Sequence, residues 1–257
     1  MKASLAFLLA IGMSPAAAQA PATPAPPAND RDPEAMAALN KMGAALRSLS
    51  SFELQTENSS EEVLASGQKL QFGGTVNMKF RRPDGLRVSI QTSRRDREIY
   101  YNGKDLTVFS PSLGYYAKFK APPTLAETLK LAAQKYGLEI PLSDLASWGN
   151  DSEVLARVQT AFRVGEDMVN SKTCTHYAVR QQAVDWQVWL DQSGSNLPCK
   201  LVITSRQDPT MPQYSAIYTW RPGAKVMEGA FNFVPPKGAS EIAIATMQND
   251  VAAKGDK

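Results

Sequence analysis

The residue types best suited to chemistry are scarce in this sequence. The single histidine, His176, lies in the segment "CTHYAVR", two residues after Cys174. A zinc site needs three or four protein ligands, and beyond His176 and Cys174 the sequence has only one further histidine or cysteine, Cys199. A lone histidine in a strand usually packs or faces solvent. We therefore expect neither a metal nor a cofactor.

Sequence patterns that mark known catalytic sites are also absent. The chain contains no Gly-x-Ser-x-Gly elbow and no glycine-rich phosphate loop. Carboxylates such as Asp185 and Asp191 could still converge in space to support hydrolysis, although no local spacing predicts this. We expect a protein that is not an enzyme and has no catalytic residues, and an unrecognised hydrolase is the alternative.

The N-terminus has the pattern of an export signal. Lys2 precedes a short apolar run, Leu5 to Met13, whereas a bilayer-spanning helix needs ~20 residues. Small residues follow, as at a signal-peptide cleavage site. An uncleaved anchor helix is the alternative, but we expect a periplasmic protein that is not integral to a membrane. The predicted segments are a signal peptide (1–18), a disordered Pro/Ala-rich lead (19–31), a single domain (32–244) and a flexible tail (245–257).

The charge of the chain argues against a nucleic-acid partner. The formal net charge is +3, and cleavage would remove Lys2 and no acidic residue. Nucleic-acid binding usually needs a basic stripe. The only candidate is "RRPDGLRVSIQTSRRDR", from Arg81 to Arg97, which is more simply a solvated strand face with its turns. The functional alternative is a rim that binds an anionic head group or an acidic partner.

The two cysteines, Cys174 and Cys199, favour one disulfide, because an even count in an oxidising compartment is typically paired. In a meander they would lie on the first and third strands. These strands are about 9.5 Å apart, whereas bonded cysteines keep their Cα atoms within about 7 Å. The bond therefore requires that the middle strand has ended or bent at one cysteine. Two buried free thiols are the alternative.

Capping residues and apolar spacing predict the helices. Asp32 caps and Pro33 opens an amphipathic helix that runs to about Leu49. Thr124 caps a second helix, "LAETLKLAAQKY", which Gly137 ends. Short helical turns are predicted in "PLSDLASWG" and "DSEVLARV".

Alternation of apolar and polar residues predicts the strands. Examples are "LQFGGTVNMKF", "LRVSI", "DWQVWLD", "CKLVITSR", "QYSAIYTW" and "FNFVPP", and Asn102-Gly103 marks a tight turn. Successive strands with short turns are antiparallel neighbours, and a sheet of about ten or eleven strands tends to curl. The predicted fold class is mainly β (α+β). A curved antiparallel sheet forms an incomplete β-barrel, and helices cover its concave face.

Several blocks of the sequence resemble a known family. They are "SGQKLQFGGTVNMKFRRPDGLRV", "YYNGKDLTVFSP", "YYAKFKAPPTL", "DWQVWLD" and "PCKLVITSR". From about Asp32 to Pro236 the chain resembles the predicted periplasmic proteins of unknown function grouped as DUF2092. That family is similar in architecture to the lipoprotein carriers LolA and LolB. The resemblance implies a LolA-like half-barrel with a helical lid over an apolar cavity, and it lends no catalytic residue.

Apolar and aromatic side chains on inward strand faces are the candidate lining of this cavity, because large apolar residues with a polar tip suit such sites. We expect the cavity to hold a lipid, a lipoprotein acyl chain or another hydrophobic ligand without transforming it. The alternatives are a solid core, or an envelope sensor of the same fold that contacts a membrane protein. The candidate cavity residues are Phe72, Met78, Phe80, Leu86, Val88, Trp186, Val188, Leu190 and Tyr218.

Overall fold

A computed structural model describes residues 30–138, 140 and 152–247 of the chain. The predicted signal peptide, most of the predicted lead, the predicted helical turn over residues 141–149 and residues 248–257 of the predicted tail lie outside the described residues.

The described helices begin and end where the capping residues predict. The carboxylate of Asp32 accepts a backbone N–H at the start of the first helix, and the hydroxyl of Thr124 does the same at the second. Gly137 ends the second helix in the left-handed conformation, with φ 58°, which glycine adopts without steric cost. The helices are α1 (Pro33–Ser48), α2 (Leu125–Tyr136) and α3 (Ser152–Ala156).

The described strands form one 12-stranded sheet. They are β1 (Ser51–Val63), β2 (Lys69–Arg81), β3 (Gly85–Thr92), β4 (Asp96–Tyr101), β5 (Asp105–Ser110), β6 (Tyr115–Lys120), β7 (Thr160–Val169), β8 (Lys172–Arg180), β9 (Val184–Asp191), β10 (Pro198–Ser205), β11 (Gln213–Pro222) and β12 (Ser240–Glu241).

The strand order is β12-β6-β5-β4-β3-β2-β1-β11-β10-β9-β8-β7, so β1 and β11 join two meanders at the centre of the sheet. Neighbouring strands are antiparallel except β12 and β6, which are parallel. The strands that short turns connect are therefore antiparallel neighbours, as predicted, whereas the pairing of β1 with β11 joins distant parts of the chain. The open, curved, mainly antiparallel sheet confirms the predicted fold class.

Two packed clusters hold α1 and α2 against the same face of the sheet, which we call the inner face. In the α1 cluster, Leu39 and Met42 are buried with Val179 and Val188 of strands β8 and β9. In the α2 cluster, Leu125 and Ala132 are buried with side chains of strands β1 to β6 and β11, such as Val88. Each helix therefore covers a different part of the inner face.

Strand β1 has no clear signal in the sequence. Its inner-face residues Phe52, Leu54 and Thr56 are buried, but Asn58 and Ser60 follow at the same period of two. Because alternation is recognised only where every second residue is apolar, the polar half conceals the strand. Pairing with β2 on one side and β11 on the other places β1 at the centre of the sheet.

The strand predicted for "FNFVPP" is wrong. Residues Glu228–Phe231 form a 3-10 turn, and the chain then crosses the outer face of the sheet. Phe231 packs on Gly85, where an added Cβ would lie 2.6 Å from the phenyl ring. The two phenylalanines anchor this segment by their side chains, and the prolines that follow lack the N–H that strand pairing needs. The ring of Phe233 lies 5.0 to 5.3 Å from the rings of Tyr100, Phe109 and Tyr116.

A disulfide joins Cys174 and Cys199 on the outer face, with their Cα atoms 6.9 Å apart. Cys174 pairs with Asp191, the last residue of β9, and the β9–β10 register shifts between Pro198 and Lys200. The middle strand has therefore ended where the bond forms, as the spacing of the strands requires. Around the bond lies an outer cluster that contains Val169, Trp189, Val202 and Ile217.

Removing the disulfide should lower the free energy of unfolding by about 3 kcal/mol, because the bond closes a loop with a sequence separation of 25 residues and restricts the unfolded chain. The double variant Cys174→Ala/Cys199→Ala tests this in chemical denaturation, with the reduced wild-type protein as the matched comparison. Equal stability of the oxidised wild type and the variant would contradict the expectation.

Candidate ligand-binding cavity

A cavity of about 1080 Å³ lies between the inner face of the sheet and the helices. Its lining draws on both clusters: Val76 and Tyr218 belong to the α2 cluster, and Trp186 and Val188 belong to the α1 cluster. Small-molecule sites usually measure about 300–1,000 Å³, so this cavity is slightly larger than that range. It is large enough to accept a substantial organic ligand.

Helices α1 and α2 and both halves of the sheet contribute to the apolar lining. α1 contributes Met42, and α2 contributes Leu129 and Ala133. On the sheet, Ile90 of β3 and Ile203 of β10 line the cavity from opposite sides of the central strands. The interior therefore offers an apolar surface to a ligand on its sheet side and its helix side.

The structure separates the nine sequence-predicted cavity residues into two groups. Four of them line the cavity: Phe72, Trp186, Val188 and Tyr218. The other five are buried in the two inner clusters and do not line it: Met78, Phe80, Leu86, Val88 and Leu190. The alternation of apolar and polar residues shows which side chains face inward. It does not show where along each strand the helices cease to cover the sheet.

Along each strand the inner face changes from packed core to cavity and then to a polar rim. On β1, buried Leu54 is followed by lining residues Asn58 and Ser60. On β4, fully buried Ile99 lies two residues from Arg97, which lines the cavity. Because the strands are antiparallel, these rim residues lie at one end of the sheet.

The hairpin between β3 and β4 carries arginines to this rim. The hydroxyl of Thr92 accepts the backbone N–H groups of Arg94 and Arg95 at 3.3 and 3.0 Å, and it donates to the carbonyl of Arg95 at 3.0 Å. Thr92 pairs with Gly74, where an added Cβ would lie 2.8 Å from the threonine methyl group. The hairpin is thus fixed internally, and it can approach β2 only because Gly74 has no side chain.

The charged residues that line the cavity are mostly basic. Within the described part of the chain they are Arg94, Arg95, Arg97, Arg157 and Glu62. Arg94 forms an ion pair with Glu62, and its guanidinium lies 3.7 Å from the ring centroid of Phe72. The rim therefore has a positive excess next to an apolar interior. Three of these arginines, Arg94, Arg95 and Arg97, belong to the basic segment for which the sequence suggests either a solvated strand face or a rim that binds an anionic head group or an acidic partner.

The residues considered for catalysis lie elsewhere. His176 stacks on Trp189 of the outer cluster, with ring centroids 3.9 Å apart, and its Nε2 lies 3.0 Å from the amide oxygen of Gln187. Burial lowers the pKa of the His176 imidazole. Asp185 and Asp191 are six residues apart on β9, which is about 20 Å along a strand. The structure does not bring these two carboxylates together.

No three His, Cys, Asp or Glu side chains within the described ranges are grouped so that they could hold a metal ion. None of the helices in those ranges is both long enough and apolar enough to cross a membrane.

Tyr214 joins the cavity wall to its polar rim. Its hydroxyl donates to the side-chain oxygen of Asn58 at 3.1 Å, and burial raises the pKa of Tyr214 to about 12. The phenol therefore stays protonated and keeps this hydrogen bond at physiological pH.

The raised pKa of Tyr214 predicts a loss of stability in strong alkali. Between pH 10 and 12 the unfolded chain releases this proton while the folded protein keeps it, so the free energy of unfolding falls as the pH rises. In Tyr214→Phe the loss across this window should be smaller by about 1 to 2 kcal/mol. Urea denaturation at a series of alkaline pH values measures it, and an unchanged slope would contradict the assignment.

Comparison with known structures finds proteins of low sequence identity. The Mycobacterium tuberculosis lipoprotein LppX has 11% identity and a TM-score of 0.47, over 76% of this chain and 100% of that chain. LprF from Mycobacterium bovis has 12% identity and a TM-score of 0.46, over 82% and 100% of the two chains. The Pseudomonas aeruginosa MucA/MucB complex has 15% identity and a TM-score of 0.43, over 78% of this chain and 61% of that chain.

No curated protein matches this sequence. A family model described as "Predicted periplasmic protein (DUF2092)" matches residues 35–245, which is most of the chain. This match confirms the family resemblance seen in the sequence blocks. The chain belongs to the DUF2092 family of predicted periplasmic proteins.

Proposed function

We propose that this protein is an exported periplasmic carrier that binds a lipid, a lipoprotein acyl chain or another hydrophobic ligand in its cavity without transforming it. The observation that carries the proposal is the cavity of about 1080 Å³ between the two inner clusters, with apolar side chains on its sheet side and its helix side. The proposed mature protein lacks the predicted signal peptide 1–18 and contains a single domain over residues 32–244. The disulfide supports this location, because such bonds persist in oxidising compartments.

The energetics of acyl-chain burial suit a carrier. Each buried methylene contributes about 0.8 kcal/mol. About ten methylenes therefore give about 8 kcal/mol, which corresponds to a Kd near micromolar before the cost of ordering the ligand is subtracted. A ligand held this way binds with useful affinity and can still leave.

Helix α2 supplies two residues of the cavity lining, Leu129 and Ala133. Ala133 and Gln134 are both exposed, but Ala133 lines the cavity and Gln134 lies outside the lining. Adjacent positions on one helix therefore separate the effect of filling the cavity from the effect of placing a large apolar side chain on this helix.

The variant Ala133→Phe should weaken binding of a fluorescent fatty acid about tenfold. The phenyl group occupies space that about two methylenes of the ligand would fill, and tenfold corresponds to about 1.4 kcal/mol. Titration of the purified protein, followed by fluorescence, measures the affinity.

The matched control is Gln134→Phe, which should bind the fatty acid as the wild type does. Circular dichroism and thermal unfolding check that both variants are folded. Wild-type affinity in a folded Ala133→Phe variant, or no binding by the wild type, would rule out the cavity as the site.

A further inference from the structure

We propose that the ligand of this cavity is an anionic amphiphile, whose carboxylate or phosphate head group binds Arg95 and Arg97 at the rim while its chain lies in the apolar interior. This inference rests on the proposed carrier function and narrows its class of ligand.

Arg97 is the first residue that carries the inference. It is half-buried on the inner face of β4, two residues from fully buried Ile99, and it pairs across the sheet with Ile90 of the cavity lining. Within the part of the chain that the structure describes, its guanidinium makes no hydrogen bond or ion pair. A half-buried guanidinium offers five N–H donors, and an anion beside it would satisfy them.

Arg95, on the hairpin between β3 and β4, is the second residue that supports the inference. Its backbone is held by Thr92, but its exposed side chain likewise has no hydrogen-bond or ion-pair partner among the described residues. Arg94 differs, because Glu62 neutralises it and its guanidinium lies over Phe72. The ion pair of Arg94 therefore closes part of the rim and leaves Arg95 and Arg97 for a ligand.

The position of these two arginines selects the kind of anion. Ile90, which also lines the cavity, pairs with Arg97 on the adjoining strand, so a head group there continues directly into the apolar interior. A neutral lipid would fill the interior but leave the guanidinium of Arg97 without an anionic partner. A free inorganic anion would satisfy the guanidinium but leave the apolar wall in contact with water. An anionic amphiphile meets both requirements.

The test compares laurate with dodecanol, which has the same chain length and no charge, by isothermal titration calorimetry. The wild type should bind laurate about tenfold more tightly, as expected for charge-assisted hydrogen bonds at a partly exposed site. The variant Arg95→Gln/Arg97→Gln should bind laurate as weakly as dodecanol and should bind dodecanol within twofold of the wild type.

Arg47→Gln is the charge control, because Arg47 is exposed on α1, outside the lining. It should bind both ligands as the wild type does. Equal wild-type affinities for laurate and dodecanol, or an unchanged laurate affinity in the double variant, would overturn the head-group assignment while the carrier function stands. Failure of the wild type to bind either ligand would overturn both.

Inorganic phosphate separates the two possible sources of the anion. At the same concentrations as laurate, phosphate alone should give no binding heat, because it has no chain to occupy the interior. Binding of phosphate as tightly as laurate would make the rim a site for free anions and would overturn the amphiphile.

Discussion

The inner face of the sheet is too wide for its two long helices to cover. Twelve strands at ~4.8 Å spacing extend over about 50 Å. At 1.5 Å per residue, α1 is about 24 Å long and α2 about 18 Å. Each helix buries its apolar stripe in a separate cluster, and the cavity is lined from both. The cavity therefore follows from how the apolar surface is divided between the two helices.

The polar features of the site follow from the same arrangement. Where the helix cover ends, the strands can no longer bury apolar side chains completely, and the inner-face residues change to Asn58, Ser60 and Arg97. Gly74 removes one more side chain from this end and lets the hairpin of Thr92 approach. The cavity thus has an apolar interior and a basic rim. The interior matches the chain of an anionic amphiphile, and the rim matches its head group.

Helix caps and the alternation of apolar and polar residues predicted most of the helices and strands. Asp32, Thr124 and Gly137 fixed the helix ends because caps act on their own backbone neighbours. Alternation predicted most strands but not β1, because the inner-face residues in the C-terminal half of β1 are polar. It also predicted a strand at Phe231, where two alternating phenylalanines instead anchor an irregular segment to the outer face.

The site was less predictable, because its limits depend on tertiary packing. Val188 lines the cavity, whereas Leu190, two residues further on the same face, is part of the packed core. Nothing in the sequence distinguishes these two residues.

The most direct test of the central claim, that a hydrophobic ligand occupies the cavity, labels the isoleucine methyl groups and records their NMR contacts with bound laurate. We predict contacts from Ile90 and Ile203 of the cavity and none from Ile99 of the core or Ile217 of the outer face. Contacts with Ile217 alone, or no contact with any of these methyl groups, would contradict the account.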